Sequence, residues 1–202
     1  MLNPEIKLAG TNFSIRNKKP SFRACTDHLD NFCQPNKDYS FYKQANIRKN
    51  DEPEKARIYK KEIPGIKFIH LIMMDSSGNK TGSFRCDVAD EYFLKEKGFS
   101  DNVLKKEHYK DGCIWGGFIH NPYSKHIKER QNRQTVYKDV ATELLKSIVI
   151  LSKEKGFNGR IALESSHAAD LYEKFGLKKD YDARENNLYY LPASKAKEPD
   201  LT

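Results

Sequence analysis

Cysteine is scarce in this chain. Four residues, Cys25, Cys33, Cys86 and Cys113, in 202 are too few to frame a disulfide scaffold, and they read as reduced thiols. Cys25, His28 and Cys33 offer three metal-binding side chains. No fourth lies nearby and the spacing fits no common zinc pattern, so no metal site is expected. Long apolar runs are also missing. Nothing approaches the ~18 consecutive apolar residues of a membrane-spanning helix, which excludes a helical span and a membrane partner of that kind. Residues 1–10 lack the basic start and apolar stretch of a secretory signal, which sets the cytoplasm as the expected compartment.

What is present describes a polar but globular protein. Apolar residues make up 38% and charged residues 32%, and eleven Phe and eleven Tyr supply burial. The length suits one domain plus an extension, at roughly 100 to 200 residues per domain. Residues 1–55, punctuated by Pro4, Pro20, Pro35 and Pro53, read as a polar extension with one or two short helices. Residues 56–194 read as the domain and 195–202 as a tail. The formal charge of +8 favours an anionic partner (nucleic acid, a membrane surface or a phosphorylated cofactor) without choosing among them.

Residues 66–74 form an apolar run between turn signals and predict a buried strand, with 81–88 pairing back on it as a hairpin. His70 reads as a satisfied core histidine. Residues 90–108 predict two short helices around Gly98. The segment 113–120, Cys-Ile-Trp-Gly-Gly-Phe-Ile-His, is a second clear strand. Glycine within a strand marks either a plain bulge or a place where a ligand nears the backbone. A basic segment follows, with Lys125, Lys128, Arg130, Arg133 and Lys138 set against Glu129.

The stretch from Tyr137 to Leu191 is the most regular. It predicts a helix over 139–155 stopped by Gly156, a strand over 160–163, a helix over 166–175 stopped by Gly176, and a strand over 188–191. In the first helix Val140, Leu144, Ile148 and Leu151 share a face. A strand, a helix and a strand in this order imply a crossover between parallel strands, and the N-terminus of such a helix is a natural anion site. Ser165 or Ser166 caps the second helix.

This order resembles the GNAT N-acetyltransferase superfamily. Residues 168–177, Ala-Ala-Asp-Leu-Tyr-Glu-Lys-Phe-Gly-Leu, look like its A-x-x-x-Y-x-K-x-G-F segment. Residues 137–145, Tyr-Lys-Asp-Val-Ala-Thr-Glu-Leu-Leu, look like its pyrophosphate loop and following helix, and 159–163 match the strand between them. The resemblance implies an α/β (α+β) fold: a mixed, mostly antiparallel sheet, flanked by helices, with a central parallel strand pair splayed to hold acyl-CoA. It implies transfer of an acetyl group from acetyl-CoA to an amine by direct attack. On it, Tyr172 is the acid that protonates the leaving thiolate, and Glu164 and His120 are the choices for the base. The cofactor would meet Phe118, Ile119, Tyr137, Lys138, Asp139, Val140, Ala141, Thr142 and Ser166. The acceptor could be a protein, a small amine or an aminoacyl-tRNA.

Two positions depart from the family pattern. Asp139 and Ala141 stand where glycine is usual, and no glycine occurs between Gly117 and Gly156. The Asp139 carboxylate either repels a pyrophosphate or turns outward while Lys138, Arg133 and Arg130 supply positive charge. The alternative function is therefore an inactive binding module of the same fold, with a basic surface for nucleic acid or an acidic protein.

Overall fold

A computed structural model describes residues 37–63, 65, 67–122, 135–165, 168–185 and 187–197, and of Phe118 the backbone only. Cys25, His28, Cys33, the basic residues 125–133, Glu129 and Ser166 lie outside the described residues.

Nine strands form one mixed sheet: β1 (Ser40–Lys49), β2 (Glu52–Glu62), β3 (Phe68–Met74), β4 (Lys80–Ala89), β5 (Cys113–His120), β6 (Tyr137–Lys138), β7 (Ile161–Glu164), β8 (Lys178–Lys179) and β9 (Leu188–Tyr190). Their order is β6-β1-β2-β3-β4-β5-β7-β9-β8. Every neighbouring pair is antiparallel except β5 and β7, which run parallel. This is the mostly antiparallel sheet with a central parallel pair that the sequence implies.

Among the described residues four α-helices flank it: α1 (Glu91–Glu96), α2 (Asp101–Lys106), α3 (Val140–Glu154) and α4 (Ala169–Phe175). Asp90 and Ser100 cap the first two by accepting from the N–H groups of Phe93 and Val103. Gly156 ends α3 at φ 82°, and Gly176 ends α4 at φ 101°, the left-handed stops that the sequence signals.

Alternation along the strands divides the core in two. Ala45, Ile47, Ala56, Ile58, Ile69, Leu71, Met73, Phe84 and Cys86 turn to one face, where α3 lays Val140, Leu144, Leu145 and Ile148 on them. Trp115 and Ala162 turn to the other, where α1, α2 and Tyr109 cover them.

Two expectations are corrected. Residues 40–55 are not part of a helical extension. They form β1 and the start of β2, because Ala45, Ile47, Ala56 and Ile58 give both strands a buried side, and Asn50 and Asp51, at φ 50° and 72°, supply the turn between them. Residues 195–197 are not a free tail but a short 3-10 turn whose Ala196 belongs to the core.

Candidate active site

Pairing between β5 and β7 covers only Ile114–Ile161, Trp115–Ala162 and Gly116–Leu163. Beyond this the pairing ends: β7 stops at Glu164 while β5 runs on to His120. Cys86 of β4 faces Gly116, whereas Arg85 faces Phe118, so Gly117 is the extra residue of a β-bulge where the pairing ends. Of the two readings of this glycine pair, Gly117 is the bulge. Gly116 has a packing cause: a Cβ there would fall 2.0 Å from Leu163 Cδ2 and 2.6 Å from Phe84 Cζ. Past Gly116 the β7-facing edge of β5 has no strand partner among the described residues, and Phe118 and Ile119 lie on it.

The N-terminus of α3 is brought to this opening by close contact with β4. A Cβ on Gly82 would lie 2.4 Å from Val140 Cγ1 and 3.1 Å from the carbonyl oxygen of His120. Among the described residues the N–H groups of Val140, Ala141 and Thr142 have no protein acceptor; the first bond of the helix runs from the Glu143 N–H to the Asp139 carbonyl. Such donors, with the helix dipole behind them, suit an anion.

Asp139 itself has φ 67° and makes no capping bond to the helix. The left-handed conformation is why glycine suits this position, and aspartate is among the few other residues that adopt it readily. Its carboxylate accepts from Arg48 of β1, Nε to Oδ2 at 2.6 Å and Nη2 to Oδ1 at 3.0 Å. The Arg48 hydrogen bond is the main reason its acidity is strengthened. Lys138 donates to Asp51. The carboxylate is therefore turned to Arg48 rather than to the N–H groups at the start of α3.

Tyr137 does not point outward. Its ring is buried and its hydroxyl donates to Asp75 Oδ2 at 2.6 Å. Asp75 also accepts from the Ser77 and Asn79 N–H groups, from Asn79 Nδ2 and from Lys49 Nζ. Burial alone would raise its pKa, yet these bonds together hold it at about 2. Arg48 and Asp75 are the two positioning residues that sequence reasoning missed. The only sequence cue was the turn sequence Asp-Ser-Ser-Gly-Asn, legible as a turn but not as a knot.

Tyr172 lies on α4, on the α3 side of the sheet. Its ring is 5.7 Å from that of Tyr189, which pairs with Leu163, so Tyr172 stands level with the last paired position of the parallel seam. It is 5% exposed, and burial pushes its pKa up to about 12. Its hydroxyl makes no hydrogen bond among the described residues. Two other buried tyrosines are engaged, Tyr109 donating to the Ile161 and Leu191 carbonyls and Tyr137 to Asp75, whereas the Tyr42 hydroxyl is also without a partner among the described residues.

Glu164 and His120 both have the alternation of the opposite face. Glu164 follows Ala162 in parity, is exposed, and accepts from Asn187 Nδ2 at 3.0 Å. His120 lies opposite Ser83 and is half-buried. Glu164 is one residue past the last parallel pair, and His120, with the Gly117 bulge taken out, is three levels past it. At ~3.3 Å per residue the two sit about 7 Å apart in level and do not form a pair. Ser165 Oγ accepts from the Ala168 N–H at 3.1 Å at the entry to α4. Among the described residues no cluster of three or more His, Cys, Asp or Glu is placed to hold a metal, and no helix is long and apolar enough to cross a membrane.

No family model and no curated protein matches the sequence. Among solved structures the chain is similar to an acetyltransferase of the GNAT family from Staphylococcus aureus Mu50, with TM-score 0.37 and 12% identity over 63% of this chain and 68% of that one. It is also similar to a nourseothricin acetyltransferase, with TM-score 0.38 and 10% identity over 77% of this chain and 88% of that one.

Proposed function

We propose that this protein is an acyl-CoA-dependent N-acyltransferase that moves an acetyl group from acetyl-CoA to an amine. The observation that carries the proposal is Tyr172, a core tyrosine whose hydroxyl has no partner among the described residues and which stands level with the end of the β5–β7 pairing. A tyrosine hydroxyl is already protonated at neutral pH at its ordinary pKa of 10, and burial moves this one further up, so it holds the proton a donor must carry.

The residues divide the work by face. On the α3 side, the free N–H groups of Val140, Ala141 and Thr142 would take the pyrophosphate, with Lys138 and Asp139 forming the turn before them. The unpaired edge of β5 at Phe118 and Ile119 would bond the pantetheine amides in the manner of a missing strand. Ser166, which precedes α4 in the sequence, completes the proposed contacts, and Tyr137 acts indirectly by fixing the turn through Asp75. On the opposite face Glu164 or His120 takes a proton from the attacking amine. The C–N bond forms, the C–S bond breaks, and the Tyr172 proton passes to the departing sulfur.

Acetyl-CoA binding by calorimetry and turnover of Tyr172→Phe test the reading. We expect the variant to bind acetyl-CoA as the parent does while its kcat falls about 100-fold or more, within the range of a lost general acid. A fully active variant would remove the acid from the mechanism. Glu164→Gln and His120→Gln assign the base: the one that matters abolishes the acid limb of the kcat/KM profile. The alternative, a non-catalytic nucleic-acid module, drew its support from Asp139, and the Arg48 pair removes the charge conflict that motivated it. Absence of acetyl-CoA binding together with salt-sensitive nucleic-acid binding would restore it.

A further inference from the structure

The face of the sheet that carries Glu164 and His120 holds a row of side chains for which neither the fold nor the proposed chemistry accounts. Lys61 of β2, His70 of β3, Arg85 of β4 and Phe118 of β5 are successive cross-strand partners. Directly opposed residues share a face and lie about 5 Å apart at their Cβ atoms, so three nitrogen-bearing side chains stand in line, ending where the β5–β7 pairing stops. Like charges opposite one another destabilise a sheet, and a row of this kind needs a counter-charge.

Only one end of the row has it. Lys61 donates to Asp38 at 2.8 Å. Arg85, half-buried, makes no hydrogen bond or ion pair among the described residues. His70 is fixed by the Tyr39 hydroxyl, 2.8 Å from Nδ1, and by ring contacts with Tyr39 and Phe68. Its Nε2 is buried and has no partner among the described residues, against the expectation of a satisfied core histidine. Burial first, then Arg85, Lys80 and Lys61, push its pKa down to about 4. A buried nitrogen left unbonded and an arginine left unpaired each carry a cost, and one ligand oxygen group would relieve both.

We infer that Arg85 and His70 Nε2 form an oxyanion subsite for the amine acceptor, and that the acceptor is a small amine bearing a carboxylate or phosphate. Arg85 supplies the charge, and the second donor is His70, neutral and in the tautomer with its proton on Nε2, for which the Tyr39 hydroxyl, 2.8 Å from Nδ1, would donate to that nitrogen. Arg85 is thus a specificity-determining residue. The inference rests on the acyltransferase reading for the word acceptor, but the binding itself can be measured without acetyl-CoA.

The test compares 4-aminobutyrate and phosphoethanolamine with butylamine, by calorimetry and by nitrogen-detected NMR of the His70 ring. One of the two anionic amines should bind at least ~10-fold more tightly than butylamine, the scale of one charge-assisted bond, and should shift the His70 Nε2 signal, which before titration already reports a protonated nitrogen. The better of the two identifies carboxylate or phosphate. In Arg85→Gln the preference should fall to within about 3-fold, while Arg85→Lys retains part of it, which separates lost recognition from lost folding. Equal binding of all three amines, a preference unchanged in Arg85→Gln, or an unmoved His70 signal would each overturn the assignment. Failure of acetyl-CoA to bind in a parallel titration would count against the acyltransferase reading alone.

Discussion

Asp139 holds φ at 67° with its carboxylate drawn to Arg48, and these two facts make opposite demands on substitution. Asp139→Gly loses an exposed ion pair but gains freedom in the left-handed region. Its stability should stay within about 1 kcal/mol of the parent in a urea titration. Asp139→Val loses the pair and must also carry a β-branched side chain at positive φ, which adds about 1–2 kcal/mol of destabilisation. Gly116 is a second position where one atom decides. The Cβ of Gly116→Ala would meet Leu163 and Phe84 well inside van der Waals contact, and we expect a loss of about 1–3 kcal/mol from overpacking, read as a lowered urea midpoint.

At the scale of elements, the β3–β4 turn, β1 and β6 are bound by one carboxylate. Asp75 accepts from its own turn, from Lys49 of β1 and from Tyr137 of β6. Asp75→Asn keeps the size but gives up the charge that draws these donors together. A stability loss of about 2–4 kcal/mol is expected, with a larger drop in acetyl-CoA affinity than Asp139→Gly produces, both measurable on the same samples. The elements differed in how far they could be read beforehand. Strands β3 and β5, helix α3 and the turns at Gly156 and Gly176 were legible because each is long, apolar or capped. Strands β1 and β2 were not. Their inward residues are small or few, Ala45, Ile47, Ala56 and Ile58, and polar or basic residues such as Gln44, Asn46, Arg48, Lys55, Arg57 and Lys61 fill the outward positions of a hairpin near the sheet's edge. The alternation on both sides of Asn50-Asp51 was the available cue. Tyr172 was legible from its motif, whereas its place beside Tyr189 at the end of the parallel seam is a tertiary property. His70 was misread for the matching reason: a strand pattern reports burial but not whether a ring nitrogen finds a partner.

For the whole molecule, two groups on separate parts of the sheet set the response to acid. His70 titrates near 4 in the folded chain against an ordinary 6.5. The unfolded chain therefore binds a proton first, and stability falls as pH drops from about 6.5 to about 4. Asp75, at about 2 against an ordinary 3.8, contributes stability that is present above about 4 and lost as pH falls toward 2. Denaturation followed from pH 8 to pH 2 should thus show two successive declines. His70→Phe should flatten the first and leave the second, whereas Asp75→Asn should leave the first and make the second shallower without removing it, since Asp51, Glu54, Asp90 and Asp139 are also held below their ordinary values.

The bond between Arg48 and Asp139 also restricts the order in which this surface can change. Replacing Arg48 first leaves a free carboxylate beside the helix end proposed to receive a pyrophosphate. Replacing Asp139 by glycine first leaves only a spare surface arginine. The two positions are therefore open to drift in one sequence and closed in the other. Such sign-dependent epistasis would appear in a double-mutant cycle as an Arg48→Ala penalty on acetyl-CoA affinity that vanishes once Asp139→Gly is present.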